Sequence, residues 1–372
     1  MKFLILTHVQ HKLTDGSVSA YAPYVKEMNI WLKHVDEVSI VAPKTSEIKN
    51  DIDLDYEHKT LNFNEIPSIE FTNTKKILSS LFKLPFICSV IFKACKKADH
   101  IHLRCPGNIG LIGCLVQICF PKKIKTAKYA GNWDPRAKQP LTYKFQKWLL
   151  SNTFFTKNIT VLVYGNWKNQ TKNIKSFFTA TYNHEDRQIP KTRNYSASLK
   201  FVFVGSLVEG KRPLFAIQII EKLNTLGYDV VIDLYGDGVL KTDLETYVKK
   251  NNLGSKVKLF GNQKNEVIKD VLKEAHFLIL ASKSEGWPKA IAEAMFFGVI
   301  PIATSVSCVA FMLDYGKRGI IIKSNLEDAL HVINIQLVAQ ENLKMMSKKA
   351  ADWSQNYTLD FFESKITKLI KL

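Results

Sequence analysis

The chain has 372 residues, 46% of them apolar and 23% charged, and a formal net charge of +18. That length exceeds one ordinary core and suits two domains, and the composition, without low-complexity tracts, is that of a globular protein. The charge is uneven: residues 1–195 hold 29 Lys+Arg against 15 Asp+Glu, whereas residues 196–372 hold 23 against 19, so the first half is the one suited to phosphate-rich partners.

The chain opens with Lys2–Thr7, an apolar run too short for the core of a signal peptide, which reads as a first buried strand. The loop after it, Thr14-Asp15-Gly16-Ser17, offers either a close backbone approach at Gly16 or a helix cap at Asp15 or Ser17. A helix is expected over Ala20–Lys33 and a strand over Glu37–Val41. Asp51-Ile52-Asp53 then forms an Asp-x-Asp in an irregular stretch. Lys75–Lys97 reads as a helix that carries Pro85, six lysines and no acid, with Phe82, Phe86 and Phe92 among its apolar residues. Such a segment suits an anionic membrane face or an ordinary packed helix with solvated lysines, and Lys122, Lys123, Lys125 and Lys128 add to its charge. No segment reaches 18 uninterrupted apolar residues, which speaks against a spanning helix.

Strands follow at His100–Leu103, Lys125–Ala130 and Ile159–Val163, with helices at Ile109–Phe120 and Thr142–Phe154. Alternation along the first of these strands turns His100 and His102 to one face. Arg104, Asn108, Asn132 and Asp134 come just after strand ends, the side of a parallel sheet where ligands bind. Residues 183–198 break the pattern and read as a linker.

A second α/β set begins beyond it. Strands are expected at Lys200–Val204, Val230–Tyr235, Lys256–Phe260, His276–Leu280, Val299–Ala303 and Gly319–Ile322. Helices are expected at Pro213–Leu226, Leu240–Asn251, Asn265–Lys273 and Leu326–Gln340, and Tyr357–Leu372 has the apolar spacing of an amphipathic helix. Repeated strand–helix alternation predicts parallel α/β layers. No Gly-x-Gly-x-x-Gly follows a strand, which argues against a dinucleotide dehydrogenase. The six cysteines show no metal-binding or redox spacing, and five fall in apolar segments where a reduced thiol is a small core residue, pointing to the cytoplasm.

Two sites in this half carry chemistry. Gly205 follows a strand, and Lys211 and Arg212 open the next helix, where cations can neutralise a pyrophosphate. Farther on, Ser284-Glu285-Gly286-Trp287-Pro288-Lys289-Ala290-Ile291-Ala292-Glu293 joins two apolar strands. Glu285 lies on a loop and Glu293 on the helix after it, with the helix's exposed amides between them as an anion site.

This last constellation resembles the Glu-x7-Glu motif of retaining glycosyltransferases with the GT-B fold, of the family 4 type. The resemblance implies two Rossmann-like domains facing across a cleft, an N-terminal acceptor domain (1–185) and a C-terminal nucleotide-sugar domain (196–356), with the helix at 357–372 packing back on the first. It implies transfer, with retention and without a metal or other cofactor, of a hexose-type sugar from a UDP- or GDP-linked donor. The acceptor would be a glycan or lipid-linked saccharide in cell-surface polysaccharide synthesis. On this reading Glu285 orients the donor sugar, and Glu293 holds the ribose. Gly16, Gly205, Lys211, Arg212, Gly236, Asn262, Gly286, Trp287, Pro288 and Lys289 complete the donor site. Lys211 matches the family lysine, while Ser206 stands where arginine is common, so Arg212 would supply that phosphate contact. His102, with His100 in reserve, would approach the reacting sugar, and Arg104, Asn108, Asn132 and Asp134 would meet the acceptor. The enzyme would be cytoplasmic and peripheral on the inner face of the cell membrane. A nucleotide-sugar epimerase of the same fold is the alternative enzyme. A basic nucleic-acid-binding protein would explain the charge, but no binding motif supports one, and nucleic acid is not expected as a partner.

Overall fold

The structure is a computed structural model and describes residues 1–14, 16–50, 52–69 and 74–371. Asp15, offered as a helix cap, and Asp51, the first acid of Asp-x-Asp, lie outside the described residues. The chain divides into two units, Met1–Phe177 with Phe362–Leu372, and Phe178–Phe361.

In unit 1 the elements run β1 (Lys2–Leu6), β2 (His11–Thr14), β3 (Ser17–Tyr21), α1 (Ala22–Leu32), β4 (Glu37–Pro43), β5 (Asp53–Asp55), β6 (Leu61–Ile66), α2 (Thr74–Lys97), β7 (His100–Cys105), α3 (Asn108–Val116), β8 (Ile124–Tyr129), α4 (Leu141–Ser151), β9 (Ile159–Tyr164) and β10 (Ile174–Phe177). Seven strands form one parallel sheet in the order β10-β9-β8-β7-β1-β4-β6. Leu4, Ile5 and Leu6 are all buried, because a parallel sheet is covered on both faces and so selects continuous apolar strands. One face carries α2, α3 and α4: Ile87 and Ile91, Ile109 and Ile112, and Leu149 and Leu150 pack into one core with Leu4, Leu6, Leu103 and Val161.

The loop after β1 differs from expectation. It is a β-hairpin, with β2 and β3 antiparallel and β5 added to β3 as a three-stranded sheet. Gly16 sits at its tip with φ +81°, open space around its Cα, and α1 starts after Tyr21. Ser17 is therefore a strand residue and not a helix cap. In the Asp-x-Asp stretch, Asp53 lies 2.8 Å from Lys12, and Asp55 lies 2.6 Å from Lys49. Each described carboxylate thus has its own ammonium partner, and no group of three or more metal-ligating side chains exists among the described residues.

The opposite sheet face carries a buried ion pair. Lys128 Nζ lies 2.7 Å from Glu27 Oε2, and Lys128 also sits over the rings of Tyr164, Phe177 and Phe362. Lys125 is equally buried, donating to the Phe120 carbonyl at 2.8 Å, and burial lowers its pKa to about 8. Both lysines are core residues, which corrects their assignment to the charged surface.

Unit 2 runs β11 (Leu199–Val204), α5 (Pro213–Thr225), β12 (Val230–Tyr235), α6 (Lys241–Lys250), β13 (Val257–Gly261), α7 (Asn265–Glu274), β14 (Phe277–Leu280), α8 (Lys289–Phe296), β15 (Ile300–Thr304), α9 (Val309–Met312), β16 (Ile320–Ile322), α10 (Leu326–Val338) and α11 (Gln340–Ser354). Its six strands are parallel in the order β13-β12-β11-β14-β15-β16. The last helix, α12 (Leu359–Ile370), carries the chain back into unit 1 from Phe362 onward.

The expected linker contains a structural hub of unit 2. Arg193 is 6% exposed, and its guanidinium donates to the carbonyls of Lys191, Leu272, Lys273, Ala275, Phe297 and Gly298 at 2.5 to 3.3 Å. Five of these belong to the C-terminal ends of α7 and α8, where carbonyls lack intrahelical partners. One rigid guanidinium fork satisfies them together.

Candidate active site

Unit 2 gathers most of the expected donor residues at the carboxyl ends of its strands, where a doubly wound sheet binds ligands. Gly205 follows β11, Gly236 follows β12 and Gly261 ends β13. Gly205 N–H donates to the Tyr235 carbonyl and Gly236 N–H to the Gly261 carbonyl, so the three strand ends are laced together. Both glycines have positive φ, and a Cβ on Gly236 would stand 2.0 Å from the Gly205 carbonyl oxygen. The side chain is excluded here by the neighbouring backbone before any ligand arrives. Asn262 is exposed on the loop just past β13.

The segment from Gly210 to Arg212 docks on the loop between β14 and α8. Lys283 N–H donates to the Gly210 carbonyl at 2.8 Å, and Lys211 Nζ lies 2.6 Å from Glu285 Oε1. The Glu285 side chain is 7% exposed and that of Lys211 29%. Arg212 adopts φ +55° at the start of α5, donates to the Ser324 carbonyl at 3.1 Å and covers the Phe215 ring. Its guanidinium is engaged there rather than with Glu285.

The Glu285 loop is held from below by residues that carry no sequence signal of their own. Thr304 Oγ1 donates to the Ser282 carbonyl at 2.6 Å, and Ser307 Oγ and Cys308 Sγ both approach the Gly286 carbonyl. Trp287 is 7% exposed and packs against Trp353, Tyr357 and Phe178. It anchors the loop in an aromatic cluster. Pro288 is buried at the helix start, and its carbonyl receives the first turn of α8. The first amides of α8 lie outside the helical ladder, a ready anion site.

Glu293 lies on α8 beside a small cavity lined by Thr179, Thr181, Lys289, Ser354 and Tyr357. Its Oε1 accepts from Thr181 Oγ1 at 2.7 Å, and burial raises its pKa against the opposing pull of Thr181 and Lys289. The structure thus joins Lys211 to Glu285 and gives Glu293 a separate polar partner.

In unit 1, His102 is fully buried. It stacks on Phe3, abuts Trp31 and shares the Thr126 hydroxyl with His100. Burial lowers the pKa of His102 well below the ordinary value and that of His100 to about 4. Both are neutral core histidines, which corrects the expectation that either meets the sugar. Two residues on, Arg104 reaches the strand end: it stacks over Tyr24, and its side chain is 18% exposed. Asn108 opens α3 and donates to the Ile69 carbonyl. Asn132 and Asp134 shape the loop after β8 by accepting the amides of Asp134 and Arg136.

His8, not singled out in the sequence, is exposed just beyond β1 and lies next to Gly107. It stands two residues past the end of that buried strand. Arg104 near the end of β7, and His8, Asn108, Asn132 and Asp134 beyond the ends of β1, β7 and β8, share the carboxyl side of three adjacent strands.

Residues 184–357 match the family model described as glycosyl transferases group 1. Among curated proteins, an uncharacterized glycosyltransferase of Methanocaldococcus jannaschii is 27% identical over 51% of this chain and 53% of its own length. An Escherichia coli UDP-Gal:alpha-D-GlcNAc-diphosphoundecaprenol alpha-1,3-galactosyltransferase is 31% identical over 41% of this chain and 39% of its own. The chain spans about half the length of the curated relatives it matches, or less. Among solved structures, the lipopolysaccharide outer core galactosyltransferase WaaB superposes over 100% of both chains with a TM-score of 0.72 at 14% identity. Anabaena HepE in complex with UDP and glucose covers 100% of this chain and 99% of its own, with a TM-score of 0.66 at 12% identity. The fold is GT-B, built from α/β units with parallel Rossmann-like sheets.

Proposed function

We propose that this protein is a retaining, metal-independent glycosyltransferase. It moves a hexose-type sugar from a UDP- or GDP-linked donor to a glycan or lipid-linked saccharide. Unit 2 takes the nucleotide sugar and unit 1 the acceptor, in synthesis of cell-surface polysaccharide on the cytoplasmic side. The observation that carries this reading is the Lys211–Glu285 pair at the carboxyl end of a parallel sheet, next to the start of α8. A cation, a carboxylate and helix amides at one strand edge suit a leaving diphosphate and a polyhydroxylated sugar. As the bond to the diphosphate breaks, Lys211 and the amides of α8 stabilise its growing charge. Glu285 accepts hydrogen bonds from the donor sugar, Glu293 exchanges Thr181 for the ribose hydroxyls, and Arg212 serves the outer phosphate after leaving Ser324. The Escherichia coli relative, a galactosyltransferase acting on a diphosphoundecaprenol-linked sugar, and the Anabaena complex with UDP and glucose support a nucleotide donor and a lipid-linked acceptor.

The test is a thermal-shift panel of UDP, GDP, CDP, dTDP and NAD with chelator present, repeated on Lys211→Ala and Glu293→Ala. A ligand at about 100 times its Kd adds about 2.7 kcal/mol. One nucleoside diphosphate should stabilise the parent chain and lose its effect in both variants. A response to NAD alone, or a requirement for divalent metal, would overturn the reading. Conversion of a nucleotide sugar without acceptor would replace it with epimerisation.

A further inference from the structure

Surface helices ordinarily turn a polar side to water, but the helical layer of unit 1 also exposes large apolar side chains. Within α2, Ile87, Ile91 and Cys95 are buried against the sheet. The outward positions include Leu78 at 58% exposed, Phe82 at 79% and Phe86 at 57%. A second apolar ridge lies at the other end of the same layer. Phe145 stacks on Trp148, Trp148 meets Phe155, and Phe155 meets Phe154, with ring centroids 5.2 to 6.3 Å apart. These four rings are 40% to 73% exposed, an unusual cost for aromatic surface in water. Since α2, α3 and α4 pack on one sheet face through a shared core, both ridges belong to one layer.

The charge around them has one sign. Exposed Lys76 precedes the α2 ridge, and Lys93, Lys96 and Lys97 follow it; Lys144 and Lys157 flank the aromatic ridge. Between Lys76 and Lys157 the sequence holds two carboxylates, Asp99 and Asp134, and neither lies in a helix. A twofold self-interface through this layer would bring like charges together. Aromatic and aliphatic side chains framed by lysines match the boundary of an anionic bilayer, where rings enter the headgroup region and ammonium groups meet phosphate.

We infer that the α2–α3–α4 layer of unit 1 is a docking surface for an anionic lipid bilayer. Phe82, Phe86, Trp148 and Phe154 enter the interface, and Lys93, Lys96 and Lys97 meet the headgroups. The protein lies on the membrane through this layer. Residues Lys76–Lys97 are long and apolar enough to span a bilayer, yet Ile87, Ile91 and Cys95 tie the helix to the sheet core. The inference stands apart from the donor reading, because lipid binding by unit 1 requires no nucleotide.

The experiment is sedimentation of the full chain with phosphatidylcholine vesicles, with or without phosphatidylglycerol, across a salt series. Binding should need phosphatidylglycerol, weaken with salt and be released by alkaline carbonate. Lys93→Glu/Lys96→Glu/Lys97→Glu should weaken it by roughly fivefold or more per lysine. Phe82→Glu/Phe86→Glu and Trp148→Glu/Phe154→Glu should each reduce it at least tenfold. All these side chains are exposed or half-exposed, so the variants should fold, as circular dichroism and unchanged melting would show. No binding at low salt, equal binding to neutral vesicles, or resistance to carbonate would overturn the inference. So would a concentration-dependent dimer that the same aromatic variants abolish.

Discussion

Lys211 Nζ and Glu285 Oε1 are 2.6 Å apart, although 74 residues separate them in sequence. The pair ties the loop before α5 to the loop before α8 and leaves the ammonium partly open. Glu285 is nearly buried, so removing Lys211 leaves a carboxylate with poor hydration. Lys211→Ala should therefore lose stability, by about 1–3 kcal/mol, and should also lose affinity for the nucleoside diphosphate. Glu285→Gln should keep diphosphate affinity within a fewfold, because the cation remains, yet reduce kcat by roughly 10²–10³-fold if the carboxylate acts on the sugar. Calorimetric titration with the diphosphate alongside single-turnover kinetics separates the two. Equal loss of diphosphate affinity in both variants would assign the pair to scaffolding alone.

Gly205 and Gly236 make a steric prediction. A Cβ at Gly236 would stand 2.0 Å from a backbone oxygen, and the residue has φ +137°. Gly236→Ala should force β11 and β12 apart at their ends, costing about 2–4 kcal/mol and abolishing nucleotide binding. Gly210 is the control, because a Cβ there would meet nothing within 4 Å and its φ is not positive. Gly210→Ala should leave both melting and binding within error. Equal tolerance at the two positions in thermal melts would contradict the packing described.

All six strands of the second sheet and the five inner strands of the first were legible as apolar runs separated by helices of the right period, whereas the edge strands β6 and β10, mixed in polarity and burial, were not. Strands such as Leu199–Val204 and Phe277–Leu280 depart from expectation by a residue at an end. The hairpin at 11–21 was not legible: its strands are four and five residues long and mixed in polarity, so periodicity had nothing to grip. At the candidate site, Glu285 and Lys211 followed from local motifs. The burial of Trp287 and His102 depends on rings brought in by distant segments, such as Trp353 and Trp31. A lysine run likewise cannot reveal that Lys125 and Lys128 sit on a central strand with both faces covered.

Arg193 falls within the expected linker for the same reason. Its partners are carbonyls, which no side-chain pattern announces. Replacing it with methionine keeps the stem's packing and strips six hydrogen bonds, five of them from the ends of two helices. Arg193→Met should destabilise unit 2 by about 3–5 kcal/mol. Arg193→Lys should recover little, because a single ammonium cannot reach both helix ends as a fork does. Urea unfolding of the three proteins reads this directly, and near-complete rescue by lysine would refute the fork argument.

The buried histidines set a pH dependence. His11 and His100 are fully buried, and burial lowers each pKa to about 4 from an unfolded value of 6.5; His102 is lowered further. The unfolded chain therefore binds these protons at a higher pH than the folded chain does. Stability is fully present above about pH 6.5 and falls as pH drops toward 4, with a slope of about 1.4 kcal/mol per pH unit for each histidine. Replacing His100 and His102 with glutamine, which does not titrate in this range, should lower stability at neutral pH. It should also flatten the acid slope by up to two histidines' worth, and the slope is the decisive reading because misfitting glutamines cannot flatten it. The variants' kcat/KM per folded molecule at neutral pH should stay within a fewfold, since neither ring reaches a surface. An unchanged slope would mean these rings are solvated or already protonated, and a collapse of kcat with stability intact would restore His102 to the reaction.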